Sequence, residues 1–107
     1  MPAKYKLSLL AENDMENIFD YTIDRWGEPQ AAKYTRQLYD RFQCLADNQQ
    51  LGIWRNEIKD GYRSWIEGSH TIFYCVTAGD IGIIGIPHQS MDVEQHLSIE
   101  KSSEENL

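Results

Sequence analysis

Positive charge is scarce in this chain. Among 107 residues, 10 Lys and Arg stand against 17 Asp and Glu, a formal net charge of −7. Free-standing nucleic-acid binding is disfavoured by that balance, because phosphate contacts and counterion release need concentrated positive charge. A protein partner fits better. Cysteine is scarcer still: Cys44 and Cys75 lie far apart, so neither a disulfide framework nor a paired-cysteine metal site is indicated, and both read as small core residues. No run approaches the ~18 apolar residues that a membrane span needs. The opening Met1-Pro2-Ala3-Lys4-Tyr5-Lys6 carries no apolar signal core behind its basic residues. No membrane association and a cytoplasmic location are therefore expected. Internal repeats are also missing. What remains, at 41% hydrophobic and 11% aromatic, is enough for one two-layer core. We expect a single domain over residues 1–97 and a polar, disordered tail over 98–107.

The local patterns give an order of elements. Lys4 to Ser8 reads as a short strand, with Ser8 placed to cap a helix directly after it. In Ala11 to Trp26, the residues Met15, Ile18, Phe19, Thr22 and Trp26 share one helical face, and Glu12, Asp14 and Glu16 complement the positive end of the helix dipole. Gly27 ends that helix, and Pro29 suits the first turn of the next. Its buried stripe is Ala31, Tyr34, Leu38, Phe42 and Leu45. So short a connection predicts an antiparallel helical hairpin. Asp47 to Gly61 loses periodicity and reads as a long loop with room for a short strand. Tyr62–Glu67, Thr71–Thr77 and Ile81–Ile86 then read as three strands joined by turns at Gly68-Ser69 and Ala78-Gly79-Asp80, hence antiparallel. Pro87 ends the last one, and Met91 to Leu97 reads as a short helix capped by Ser90. The fold class is α+β: an N-terminal strand and a helical hairpin packed on an antiparallel sheet.

Several strings in this order resemble the ParE branch of the RelE/ParE toxin superfamily, the toxin halves of bacterial toxin–antitoxin pairs. They are Leu7-Ser8 with Ala11-Glu12 and Asp14, Tyr21-Thr22, Trp26-Gly27, Gln30-Ala31 and Tyr34 in the first half. In the second they are Leu51-Gly52, Gly61-Tyr62-Arg63-Ser64, His70-Thr71-Ile72-Phe73-Tyr74, and His88 with Met91-Asp92 and His96-Leu97 beyond it. The resemblance spans residues 4 to 97. It implies a toxin that inhibits DNA gyrase by binding, is neutralised by a cognate ParD-like antitoxin in a hetero-oligomer, and touches no nucleic acid directly. Two positions depart from the family pattern. Cys75 comes after the Ile-Phe-Tyr string where relatives often have a basic residue, and Gln89-Ser90 stands where many have x-Arg.

The same likeness leaves two rival readings: a ribosome-dependent mRNA endonuclease, and a non-toxic partner-binding module. RNA cleavage needs cations at the charged transition state and an acid–base pair. Between Asp60 and Glu100 the only Lys or Arg is Arg63, set among six carboxylates. Chemistry is therefore disfavoured, and no catalytic residue is assigned. The expected partner-binding set is Arg63, Trp54, Tyr74, His88 and Asp92. Arg63 is either an ion-paired strand arginine or an interface contact, Trp54 either core or an exposed anchor, and Tyr74 a strand tyrosine rather than a catalytic acid. His88, Ser90 and Asp92 have the residue types of a hydrolase triad, but triad members converge from separate elements and no nucleophile elbow surrounds Ser90. His88 and His96 lack a third ligand at metal spacing, and His96 is placed to pair with Asp92 one turn away. No metal or cofactor is expected.

Overall fold

The computed structural model describes residues 3–97; the tail expected over 98–107 lies outside them. In chain order come β1 (Tyr5–Leu7), α1 (Leu9–Trp26), α2 (Glu28–Asp47), β2 (Ile53–Trp54), β3 (Tyr62–Glu67), β4 (His70–Thr77) and β5 (Asp80–Gly85). No helix among the described residues is long and apolar enough to cross a membrane. The α+β architecture is the one the patterning predicts, and the strands form one sheet in the order β1-β5-β4-β3-β2.

Two-residue turns decide the middle of the sheet. Glu67 faces His70 across Gly68-Ser69, and Thr77 faces Asp80 across Ala78-Gly79, so β3, β4 and β5 run antiparallel. Ala78 and Gly79 both take positive φ, 50° and 90°, which matches the twist of the strands they join. The outer edge of β5 is filled differently: β1 pairs with it in parallel, Tyr5 opposite Ile81 and Leu7 opposite Ile83, so the sheet is mixed rather than wholly antiparallel. The ladder continues past β1, with Ile81 N donating to Lys4 O at 3.0 Å and Ser8 N to Ile83 O at 2.9 Å.

Ser8 then caps α1, its Oγ accepting from Ala11 N at 3.0 Å, and the helix starts at Leu9. Gly27, at φ 90°, both ends α1 and begins α2: its N–H bonds Ile23 O at 2.9 Å and its carbonyl accepts from Ala31 N at 3.1 Å. The hairpin lays Ala11, Met15, Ile18, Leu38, Phe42 and Leu45 onto Ile72, Tyr74, Ile81 and Ile83 of the sheet. Each large side chain buried there contributes about 1.5–3 kcal/mol. Thr22, polar within the apolar stripe, is buried and satisfied by donating to Ile18 O at 2.6 Å. It is the last buried residue of α1, which leaves Trp26 69% exposed instead of in the core. Cys44 and Cys75 are half-buried.

Three polar expectations are corrected. Asp14 does not simply complement the helix dipole: it is buried, and its Oδ2 accepts from Ile86 N at 2.7 Å and from His96 Nε2 at 2.9 Å. His96 therefore pairs with Asp14, 82 residues away, and not with Asp92. Asp92, not Ser90, caps the C-terminal helical segment seen over 93–97, accepting from Gln95 N at 2.9 Å.

Candidate functional site

Three of the five residues singled out from sequence come together at one end of the sheet. Trp54 on β2 stands opposite Arg63 on β3, which stands opposite Tyr74 on β4. Tyr74 is completely buried, so it supports this surface from beneath and does not line it. Its hydroxyl donates to Gln49 O at 2.9 Å and accepts from Gly52 N at 2.8 Å, pinning the loop that leads into β2. Burial pushes the Tyr74 phenol above its ordinary pKa, against the smaller opposing effects of the Gly52 N–H and the Arg63 charge. A buried phenol held protonated between two backbone groups is a brace, not an acid aimed at a substrate.

Arg63 is held as firmly. Its Nη1 donates to Gly52 O at 2.6 Å and Gln50 O at 3.3 Å, and its guanidinium lies 3.7 Å from the centroid of the Trp54 ring. The stack leaves the indole 57% exposed, with Leu51 and Ile53 exposed beside it. Trp54 is thus a rigid, preoriented aromatic on an edge strand, the kind of side chain that anchors a protein interface. A groove of about 1030 Å³ runs from it past Leu51 and Val76 toward Asp47 and Ala3. Of the two cations in the loop between β2 and β3, Arg55 is occupied by Glu57 at 2.7 Å and lies over Phe73, and Lys59 lies 5.9 Å from the centroid of the Tyr62 ring.

His88 and Asp92 are not part of that surface. His88 bridges to His70 at the opposite end of β4, the two rings edge to face at 5.2 Å. Its Nδ1 accepts from Ser90 N at 3.0 Å and lies 2.8 Å from Ser90 Oγ. Asp92 is engaged as a helix cap and not on His88, so the triad arrangement of His88, Ser90 and Asp92 is not formed. His70 bonds the Tyr34 hydroxyl through Nδ1 at 2.7 Å. Burial, reinforced by His88 and only partly opposed by Asp14, lowers its pKa to about 4. Further along, burial would raise the Glu67 carboxyl, but hydrogen bonds from Gln37, Arg41 and Trp65 hold it below the usual carboxylate range.

A third feature is legible in the sequence only as spacing. Glu12, Glu16 and Asp20 recur every four residues along α1 and form one wall of a groove of about 510 Å³ between the helices. Met15 and Phe19 line its floor, and Thr35 and Tyr39 of α2 supply the other wall. Among the described residues no group of three or more His, Cys, Asp or Glu is placed to hold a metal ion.

Known proteins share both this fold and much of the sequence. The family model described as the ParE toxin of the type II toxin–antitoxin system parDE matches residues 5–93. Toxin ParE1 of Mycobacterium tuberculosis is 43% identical over 98 residues, covering 91% of this chain and all of the relative. Toxin ParE1 of Caulobacter vibrioides is 38% identical over 93 residues, 87% of this chain and 96% of the relative. Among solved structures, a chain of a chromosomal ParDE system from P. aeruginosa has the same fold, with a TM-score of 0.69 at 19% identity over 81% of this chain and 96% of that one.

Proposed function

Because the chain belongs to the ParE toxin family of type II toxin–antitoxin systems, we propose that it acts by binding, inhibits DNA gyrase, and is neutralised by a cognate ParD-like antitoxin with which it forms a hetero-oligomer. Family membership supports gyrase as the target. The observation that carries binding over chemistry is the state of Arg63. This cation of the sheet surface is stacked on Trp54 and spent on two backbone carbonyls, while the neighbouring phenol of Tyr74 is buried. Such a surface offers an aromatic anchor and a shaped groove but neither a free cation for a phosphorane nor an exposed acid–base pair. Any strand breakage then belongs to gyrase's own reaction, and the chain needs no cofactor.

The antitoxin surface is the groove between α1 and α2. An apolar floor walled by Glu12, Glu16 and Asp20 suits an amphipathic segment that carries Lys or Arg on its flanks and orders on docking. The test is a supercoiling assay with purified gyrase and the isolated chain, run with and without the product of the adjacent gene. Loss of supercoiling with accumulation of gyrase-linked cleavage, relieved by that product, is expected. Unaltered supercoiling, or codon-positioned cutting of messages on translating ribosomes, overturns the reading.

A further inference from the structure

A separate recess of about 620 Å³ opens at the tip of the hairpin, between the end of α1 and the turn joining β3 to β4. It shares no lining residue with the Trp54 groove or with the groove between the helices. Tyr34 and His70 form its floor, locked by their 2.7 Å hydrogen bond and by Ser69 N donating to the Tyr34 hydroxyl at 3.2 Å. Tyr21 and Trp26 wall it, 56% and 69% exposed, and the Arg25 guanidinium lies 5.4 Å from the Tyr21 ring.

The lining of this recess carries one cation, Arg25. No carboxylate lines it. Two carboxylates in the structure beneath are already engaged: Glu67 by Arg41 and Gln37, and Asp14 by His96 and Ile86 N. Arg25 makes no ion pair among the described residues. A guanidinium with no carboxylate on it, beside two exposed aromatic rings on a rigid floor, is a composition found at the centres of protein interfaces.

We propose that this recess docks a segment of a protein partner that presents a carboxylate next to an aromatic or apolar side chain. The carboxylate pairs with Arg25, and the apolar group lies against Trp26 and Tyr21. Charge selects this occupant over a nucleic acid. Asp24 and Glu28 are exposed on the same tip and the chain carries a net −7, so a continuous run of phosphates is repelled far more strongly than a single carboxylate, which Arg25 can neutralise and an apolar neighbour can hold. His70, held uncharged by burial, adds a polar floor without a competing charge.

The test is a titration of the full chain with the blocked dipeptide N-acetyl-Asp-Phe-amide, monitored by 1H–15N spectra. Saturating shifts of the Trp26 indole N–H and of the Ser69, His70 and His88 amides are expected, with a Kd in the millimolar range as befits so small a probe, on the order of 1 mM. Arg25→Ala and Trp26→Ala, both at exposed positions, should each weaken binding at least about fivefold while leaving the remaining spectrum unchanged, and Trp54→Ala should not weaken it. No saturable shift up to about 10 mM, an equal response to the same dipeptide with Lys in place of Asp, or displacement of the probe by a short single-stranded RNA overturns the proposal.

Discussion

A Cβ added at Gly52 would lie 2.6 Å from the Tyr74 hydroxyl and 2.9 Å from the Ser64 carbonyl. The hydroxyl cannot retreat without losing Gln49 O and Gly52 N, and the carbonyl belongs to the sheet. Gly52→Ala is therefore expected to cost about 2 kcal/mol by overpacking, read as a lower midpoint in urea, and to loosen Trp54. Unchanged stability would mean that the Tyr74 brace does not hold the loop. His70 gives a second prediction. Its pKa falls from 6.5 in the unfolded chain to about 4 in the fold. As pH drops the unfolded state takes up a proton that the folded state resists, so His70's contribution is full above about pH 6.5 and is lost as pH falls toward 4. Discounted for the ring's partial exposure, the loss is about 1–2 kcal/mol. A His70→Gln variant should flatten that part of the pH–stability curve, and an unaltered curve would remove His70 as its cause. Neither residue's role is legible from its neighbours. Leu51-Gly52 reads as family resemblance, but the ring that forbids a side chain there arrives from position 74.

At the scale of elements, the joint between α1 and the segment after β5 rests on one oxygen. Asp14 Oδ2 accepts both Ile86 N and His96 Nε2, which ties the first helix to the chain that leaves the sheet. Asp14→Ala strands a buried N–H, a loss of about 1–3 kcal/mol. It should speed hydrogen exchange at Ile86 and His96 well before the centre of β4, whereas Asp14→Asn, which keeps an acceptor for Ile86, should retain much of the protection. Equal exchange in wild type and Asp14→Ala would show that the joint is held elsewhere. Helix α1 is readable from its spacing and from Ser8, and the β3–β4–β5 meander from its turns. Position 14 reads as a helix-dipole acid because sequence places it near an N-terminus and says nothing of what lies across from it. The same applies to Asp92: sequence offers Ser90 for the capping role because either residue type caps equally well.

At the scale of the whole molecule, a net charge of −7 governs how partners arrive. With Glu12, Glu16 and Asp20 along the groove proposed for a basic antitoxin segment, association should slow about tenfold as ionic strength rises from about 0.05 M to about 0.5 M, with a smaller change in dissociation. Stopped-flow mixing measures it directly. A salt-independent association rate would mean that the acidic ridge is not the encounter surface.

The amino-acid sequence by itself determined the hairpin, the three-stranded meander, the acidic balance and the family likeness. Helical period, turn chemistry and net charge are each written within a few residues or summed over all of them, and need no knowledge of what packs where. Tertiary structure alone decided that β1 completes the sheet in parallel, that His96 answers Asp14, and that Arg63 is stacked on Trp54. In each case a polar group or an open strand edge must find a partner to be buried or covered. Packing chooses that partner from residues that no local pattern connects.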